Sequence, residues 1–191
     1  MKPIRALSLN YRVNLPGLAA ASLLFYTALS NRPWWTLTGG LGDQPTFSAK
    51  VSPFAVVVEI LGRPVTVPII PYITLAARLS MLLAASAMLA GSLLASKPWS
   101  KPMMSIRGFV LPILFLLGLF AGLQLAGSYV GASLPLTGKF NLKYTVTYGE
   151  STITVTTPTV AALTQEYWIA LTAGAISILA KVIHGKMSHH E

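Results

Sequence analysis

The residues most able to bind a metal stand together at one end of the sequence, where "HGKMSHHE" (184–191) carries His184, His189 and His190 beside Glu191. Imidazoles and a carboxylate make a usable donor set, but ligands need a rigid scaffold and a supporting layer of hydrogen bonds. A short basic tail offers neither, so it is expected to be solvated and to hold no metal. The chain has no Cys, which removes thiol catalysis, thiolate ligation and disulfides together. No His falls in the predicted hydrocarbon either, so a haem would lack its usual ligands and no cofactor is expected. The acids Asp43, Glu59, Glu150 and Glu166 all fall in or beside the stretches between apolar segments, as ordinary solvated charge. The sequence contains no phosphate-cradling glycine loop before a helix, no GxSxG and no HExxH. The expectation is a protein that is not an enzyme.

Two polar side chains interrupt the apolar segments. Gln124 lies in the middle of "FVLPILFLLGLFAGLQLAGSYVG" (109–131). An amide in hydrocarbon must find a partner, so it is expected to face Ser80, Ser86, Thr172 or Ser177 on another helix, as glue or as a pore or substrate contact. Arg78 falls about two turns beyond Pro71, where its head is expected to snorkel outward, pair with Glu166 or Glu59, or line a polar cavity. The same segment as Gln124 spaces Gly118 from Gly122 and Gly127 from Gly131 by four residues. Such spacing lets two helix backbones approach closely. The contact is expected either within one bundle, against Ala77, Ser80, Ala84, Ala87 and Gly91, or between subunits.

These groups need helices to carry them. The 191 residues are 53% hydrophobic and only 10% charged, with a mean hydropathy of +0.64, against about 25% charged in a soluble domain. Four segments, about 13–30, 72–95, 109–132 and 161–183, are long and apolar enough to cross a hydrocarbon core, which takes roughly 17–25 helical residues. The first ends in Ala28-Leu29-Ser30, a passable signal-peptidase site, and is read as a retained helix. The net charge of +9 does not imply a nucleic-acid partner, because the bases are scattered in short groups beside apolar segments rather than along one face. Lys2, Arg5, Arg12, Lys97, Lys101, Arg107, Lys181 and Lys186 flank one side of the predicted spans with Glu191 as the only acid. Arg32, Lys50, Arg63, Arg78, Lys139 and Lys143 flank the other, mixed with four acids. The positive-inside rule then predicts a multi-pass cell-membrane protein with both termini cytoplasmic. Trp34, Trp35 and Trp168 at predicted outer boundaries and Trp99 at the inner one fit an interface belt.

The outer loops, about 46–70 and 139–158, read as β-hairpins. Phe140, Leu142, Tyr144, Val146 and Tyr148 alternate with Asn141, Lys143, Thr145 and Thr147, and "YGES" supplies a turn before Ser151–Thr157. "AVVVEIL" and "VTVPII" form the other pair around Gly62-Arg63-Pro64. Two lone hairpins are marginal in water, so they are expected to pair into one sheet of roughly four strands, with Val56, Val58 and Ile60 in the same sheet as the second hairpin. The predicted fold is a membrane all-α bundle with β additions in a single domain, 1–191. With Trp34-Trp35 in its first outer loop, this layout is similar in outline to claudin-like tetraspan proteins, which also set a small extracellular sheet on four helices. Their first loop carries a Cys pair that this chain lacks. The expected function is an accessory or scaffold subunit of a larger membrane assembly. Its partners would be the bilayer and other membrane subunits or further copies of itself. An oligomeric channel or transporter component is the second reading, and the tetraspan likeness implies a third, cell-surface adhesion.

Overall fold

A computed structural model describes residues 13–40, 45–104, 106–148 and 151–187. The expectations for Asp43, Glu150, His189, His190, Glu191 and the first basic group Lys2, Arg5 and Arg12 lie outside the described residues. Helix α1, Leu15–Leu29, begins where Asn14 accepts a hydrogen bond from Gly17 N at 3.1 Å, with Pro16 in its first turn. A side-chain oxygen at that place satisfies an amide that has no carbonyl partner inside the helix, and proline there loses no helical bond. Helix α2 covers Ile70–Leu93, a single turn α3 covers Ser100–Met103, α4 covers Arg107–Val130 and α5 covers Gln165–Met187.

Helix α1 lies between α2 and α5. Its Ala20, Ala21, Leu24 and Ala28 are buried in one core with Met81, Ala85 and Met88 of α2 and Ala170 and Ala173 of α5. Small side chains on all three helices let the backbones come close, and close packing holds helices together when the surroundings are as apolar as the interior. Three stretches, Ile70–Leu93, the Ser100–Tyr129 run that contains α4, and Gln165–His184, are long and apolar enough to cross a membrane. At 15 residues α1 is shorter than the full span expected of it.

The sheet is larger than two hairpins. Six antiparallel strands run in the order β4-β3-β2-β1-β6-β5: β1 Trp35–Gly39, β2 Phe47–Ser52, β3 Ala55–Ile60, β4 Arg63–Val65, β5 Gly138–Tyr148 and β6 Ser151–Leu163. Strand β1, directly after α1, pairs with β2 on one side and with Thr159–Leu163 of β6 on the other, and so joins the two loops into one sheet. Val56, Val58 and Ile60 share that sheet but stand three strands from β6, not beside it. Strand β6 also claims Ala161–Leu163, which sequence placed at the start of the last helix; α5 begins only after Thr164. The run "VTVPII" splits differently from expectation, since β4 ends at Val65 and Ile70 opens α2. Between β3 and β4 the two-residue turn puts both Leu61 (φ 51°) and Gly62 (φ 73°) in the left-handed region. That geometry matches the twist of a tight hairpin and suits Gly far better than Leu.

The β5–β6 ladder outruns its neighbour. Strand β1 stops opposite Thr159, while β5 and β6 pair onward from Leu142↔Thr157 to Tyr148↔Ser151. Tyr144, Thr145 and Thr147 sit in this extension, opposite Val155, Thr154 and Thr152. Among the described residues it is a two-stranded ribbon reaching about 20 Å past the wider sheet, at about 3.3 Å per residue.

Candidate functional site

Sheet and bundle meet at Trp34, the residue before β1. Its backbone N–H donates to Val51 O at 2.9 Å and its carbonyl accepts from Thr164 N at 2.9 Å, so the end of β2 and the corner between β6 and α5 are both tied to it. Its indole, 1% exposed, meets Phe54 at 5.6 Å, Phe115 at 5.3 Å and Tyr167 at 6.2 Å between ring centroids, all edge-on. The four rings come from a β-turn, α4, α5 and the α1–β1 link, so one aromatic nest fixes how the sheet stands on the bundle. Edge-on geometry places positive ring edges on negative faces. Trp35 is 2% exposed and looks the other way: its Nε1 donates to Leu136 O at 2.7 Å, and it packs with Leu37, Ala161 and Leu123 of α4. The interface belt expected of Trp34 and Trp35 is therefore not formed, because protein covers both; Trp168 and Trp99 are half exposed at 53% and 44%.

Charge collects around this joint. Arg78 reaches up from α2 to donate to Asn31 Oδ1 at 2.8 Å and Phe54 O at 3.2 Å, rather than pairing with Glu166 or Glu59. Glu166, in the first turn of α5 where the helix's N–H groups favour an anion, is 5% exposed. Its Oε1 accepts from Tyr26 OH at 3.1 Å and from Arg32 at 3.2 Å. Arg32 is three-quarters exposed, so this ion pair contributes little by itself.

The lower end of the bundle holds a buried polar knot that sequence reasoning missed. Asn14 donates to Ala180 O at 2.9 Å through its amide, and its backbone N–H bonds Ser92 O at 2.9 Å, which ties α1 to α5 and α2. Two signals marked it: Pro16 two residues after an Asn, and an apolar run behind them. Asn14→Ala is expected to cost about 1–2 kcal/mol from the lost cap and the orphaned carbonyl, read as a lower unfolding midpoint in detergent. His184, expected in a solvated tail, is instead 1% exposed within α5. It continues the buried line Ala173, Ser177, Ala180 at spacings of four and three. Its Nε2 lies 2.9 Å from Ser100 Oγ, a hydroxyl that also has Lys97 O at 2.6 Å and Ala95 O at 3.3 Å as acceptors within reach. A serine beside an imidazole has the parts of a nucleophile and base. Here both are shut from solvent, and two backbone carbonyls compete for the serine proton.

The remaining sequence-picked residues do not converge. Gln124 is exposed, and three of its four expected partners bond within their own helices: Ser86 to Leu82 O, Thr172 to Trp168 O and Ser177 to Gly174 O. At Gly118 and Gly122 an added Cβ would meet nothing within 4 Å, so neither forms the helix contact expected inside the bundle. Gly131 adopts φ 68° and ends α4, and Gly127 makes room for the chain turning back, bonded through Ala132 N to Gly127 O at 3.0 Å. The helix crossing that does demand glycine is α4 with α5, where a Cβ on Gly174 would meet Phe109 Cα at 2.6 Å and Gly108 O at 2.7 Å. Among the described residues no group of three or more His, Cys, Asp or Glu is gathered as a metal site.

The fold therefore defines an apolar helical bundle carrying a six-stranded antiparallel sheet on a rigid aromatic joint. Compared with known proteins, the chain matches no family model and no curated sequence.

Proposed function

We propose that this chain is a non-enzymatic, multi-pass membrane protein, an accessory or scaffold subunit that presents its sheet on the outer side of the cell membrane, both termini lying in the cytoplasm. The observation that carries the reading is the β5–β6 ribbon, a long two-stranded arm set on a sheet that the Trp34 nest holds fixed. A two-stranded hairpin is marginal by itself in water, and a partner lying along it supplies the missing surface. Asn14 and Arg78 spend their side chains on bonds that tie separate elements together, which suits a rigid holder. Exposed Lys97, Lys101 and Lys181 lie toward the lower end, which supports the cytoplasmic assignment of that end. Arg78 and Gln124, which a transport path would need side by side, sit on different helices with Arg78 committed to the joint, so the channel reading gains no support.

Purification from the native membrane in mild detergent, followed by mass measurement of the intact particle, tests this. The expected result is a co-purifying protein that is lost when residues 142–157 are replaced by a short turn. A partner-free monomer rejects the proposal.

A further inference from the structure

The upper half of α4 is exposed where hydrocarbon does not reach. Phe115 is level with Trp34, and Arg32 and Arg78 stand at this same level, so the polar boundary of the bundle passes there. Helix α4 nevertheless runs on to Val130, about 22 Å further at 1.5 Å per residue. Beside this extension lie the sheet, packed on Leu119 and Leu123, and the irregular return through Leu134 and Leu136. Open strands and irregular backbone do not lie exposed in a bilayer core, because their polar groups would go unpaired. The flanking half of α4 is thus in the aqueous layer, yet Leu117, Phe120, Leu125 and Tyr129 are 59%, 53%, 63% and 90% exposed. An apolar surface of this kind in water marks a protein contact.

From this we infer that the upper half of α4 is a self-association surface, covered by the same helix of a second copy. Gly118, Ala121, Leu125 and Tyr129 follow one another at spacings of three, four and four, along the line opposite Leu123 and continuing that of Leu114 at the boundary, four residues below Gly118. Spacings of three and four keep one stripe facing a helix packed alongside, and large residues next to small ones let this seam interlock. Charge selects the partner. Residues 108–138 contain no charged side chain in a chain of net charge +9, so two copies that repel elsewhere meet here without like-charge cost. Gln124, on the flank of the seam and exposed, carries both a donor and an acceptor, so its amide is complementary to itself across a two-fold axis. The inference rests on the outward placement of the sheet and stands apart from what larger assembly the chain serves.

The absence of Cys makes the test clean. Single cysteines at Leu114, Ala121 or Leu125 are oxidised mildly in native membranes, with Leu83→Cys, exposed on the bundle part of α2, as the control. A disulfide-linked dimer is expected at one or more seam positions and none at Leu83. Adding Gly118→Leu to the best seam variant is expected to cut the dimer about tenfold, equivalent to about 1.4 kcal/mol. Because nothing lies within 4 Å of that site, the monomer's unfolding midpoint should hold. In parallel, Val160→Cys on the sheet is treated with a membrane-impermeant thiol reagent. Labelling of Val160→Cys without any seam dimer overturns self-association while leaving the outer sheet standing. Failure to label it overturns the placement and the inference together. Seam cross-links only to a different protein overturn the second copy as occupant.

Discussion

Trp34→Ala should lower stability by about 3–5 kcal/mol, the range for emptying a large aromatic site in a packed core. The effect lies at the top of the scale for two reasons. The indole is 1% exposed, and its three edge-on partners lose about 0.5–1.5 kcal/mol each beyond simple burial. Because those partners belong to three separate parts of the chain, the sheet should also loosen from the bundle. Proteolysis from the sheet side measures this alongside thermal unfolding in detergent, and the expected pattern is early cleavage near Ser52–Ala55 with the helices still protected. Trp34→Phe keeps a ring edge in the nest and should recover about half of the loss. Wild-type resistance in Trp34→Ala would show that the sheet is held some other way.

Gly174→Leu is the second large effect, expected at about 3 kcal/mol or more, above the usual 1–3 kcal/mol for overpacking. The atoms met are Phe109 Cα and Gly108 O, which are backbone and cannot rotate aside. Pro112 cannot donate to Gly108 O, so that carbonyl is left facing α5 at the point of closest approach. Gly122→Ala serves as the counterpart. It meets nothing within 4 Å and replaces a poor helix former with the best one, so stability should stay level or rise by up to about 1 kcal/mol. Equal damage from both changes would mean that α4 packs on a different face.

This contrast shows where the sequence is readable. The helices are legible as unbroken apolar runs, because length and composition alone define them. Which glycine touches which helix is not, since "GLFAG" at 118–122 and the single Gly174 differ only in what lies across from them. The strand Ala55–Ile60 announces itself through Val56-Val57-Val58, whereas "WTLTG" and "FSAKVS" carry too little pattern to be seen. They become strands by pairing with each other and with β6. The same ladder draws Ala161–Leu163 out of a helical reading, a case of tertiary pairing overriding local preference. Arg78 stands out in sequence as a charge inside an apolar segment, with Glu166 and Glu59 as the expected acids, but its partners are an Asn side chain and a backbone carbonyl, groups too common in sequence to single out. At the candidate joint, Trp34 was visible as an aromatic at a boundary. Only the fold reveals that it faces inward.

In the membrane placement proposed above, helix α1 has a consequence for the host bilayer rather than for the protein. Between its Asn14 cap and Ser30 it offers 15 residues, about 22 Å of apolar length at 1.5 Å per residue, where an average hydrocarbon core measures about 30 Å. Being wedged between α2 and α5, it cannot gain reach by shifting independently. The lipids are what must adjust, thinning beside the exposed Leu15 and Leu29 at a cost of fractions of a kcal/mol for each ångström of misfit. A chain so placed would sort toward thin membranes, and two copies joined as inferred above would lower that cost by sharing one thinned patch of lipid.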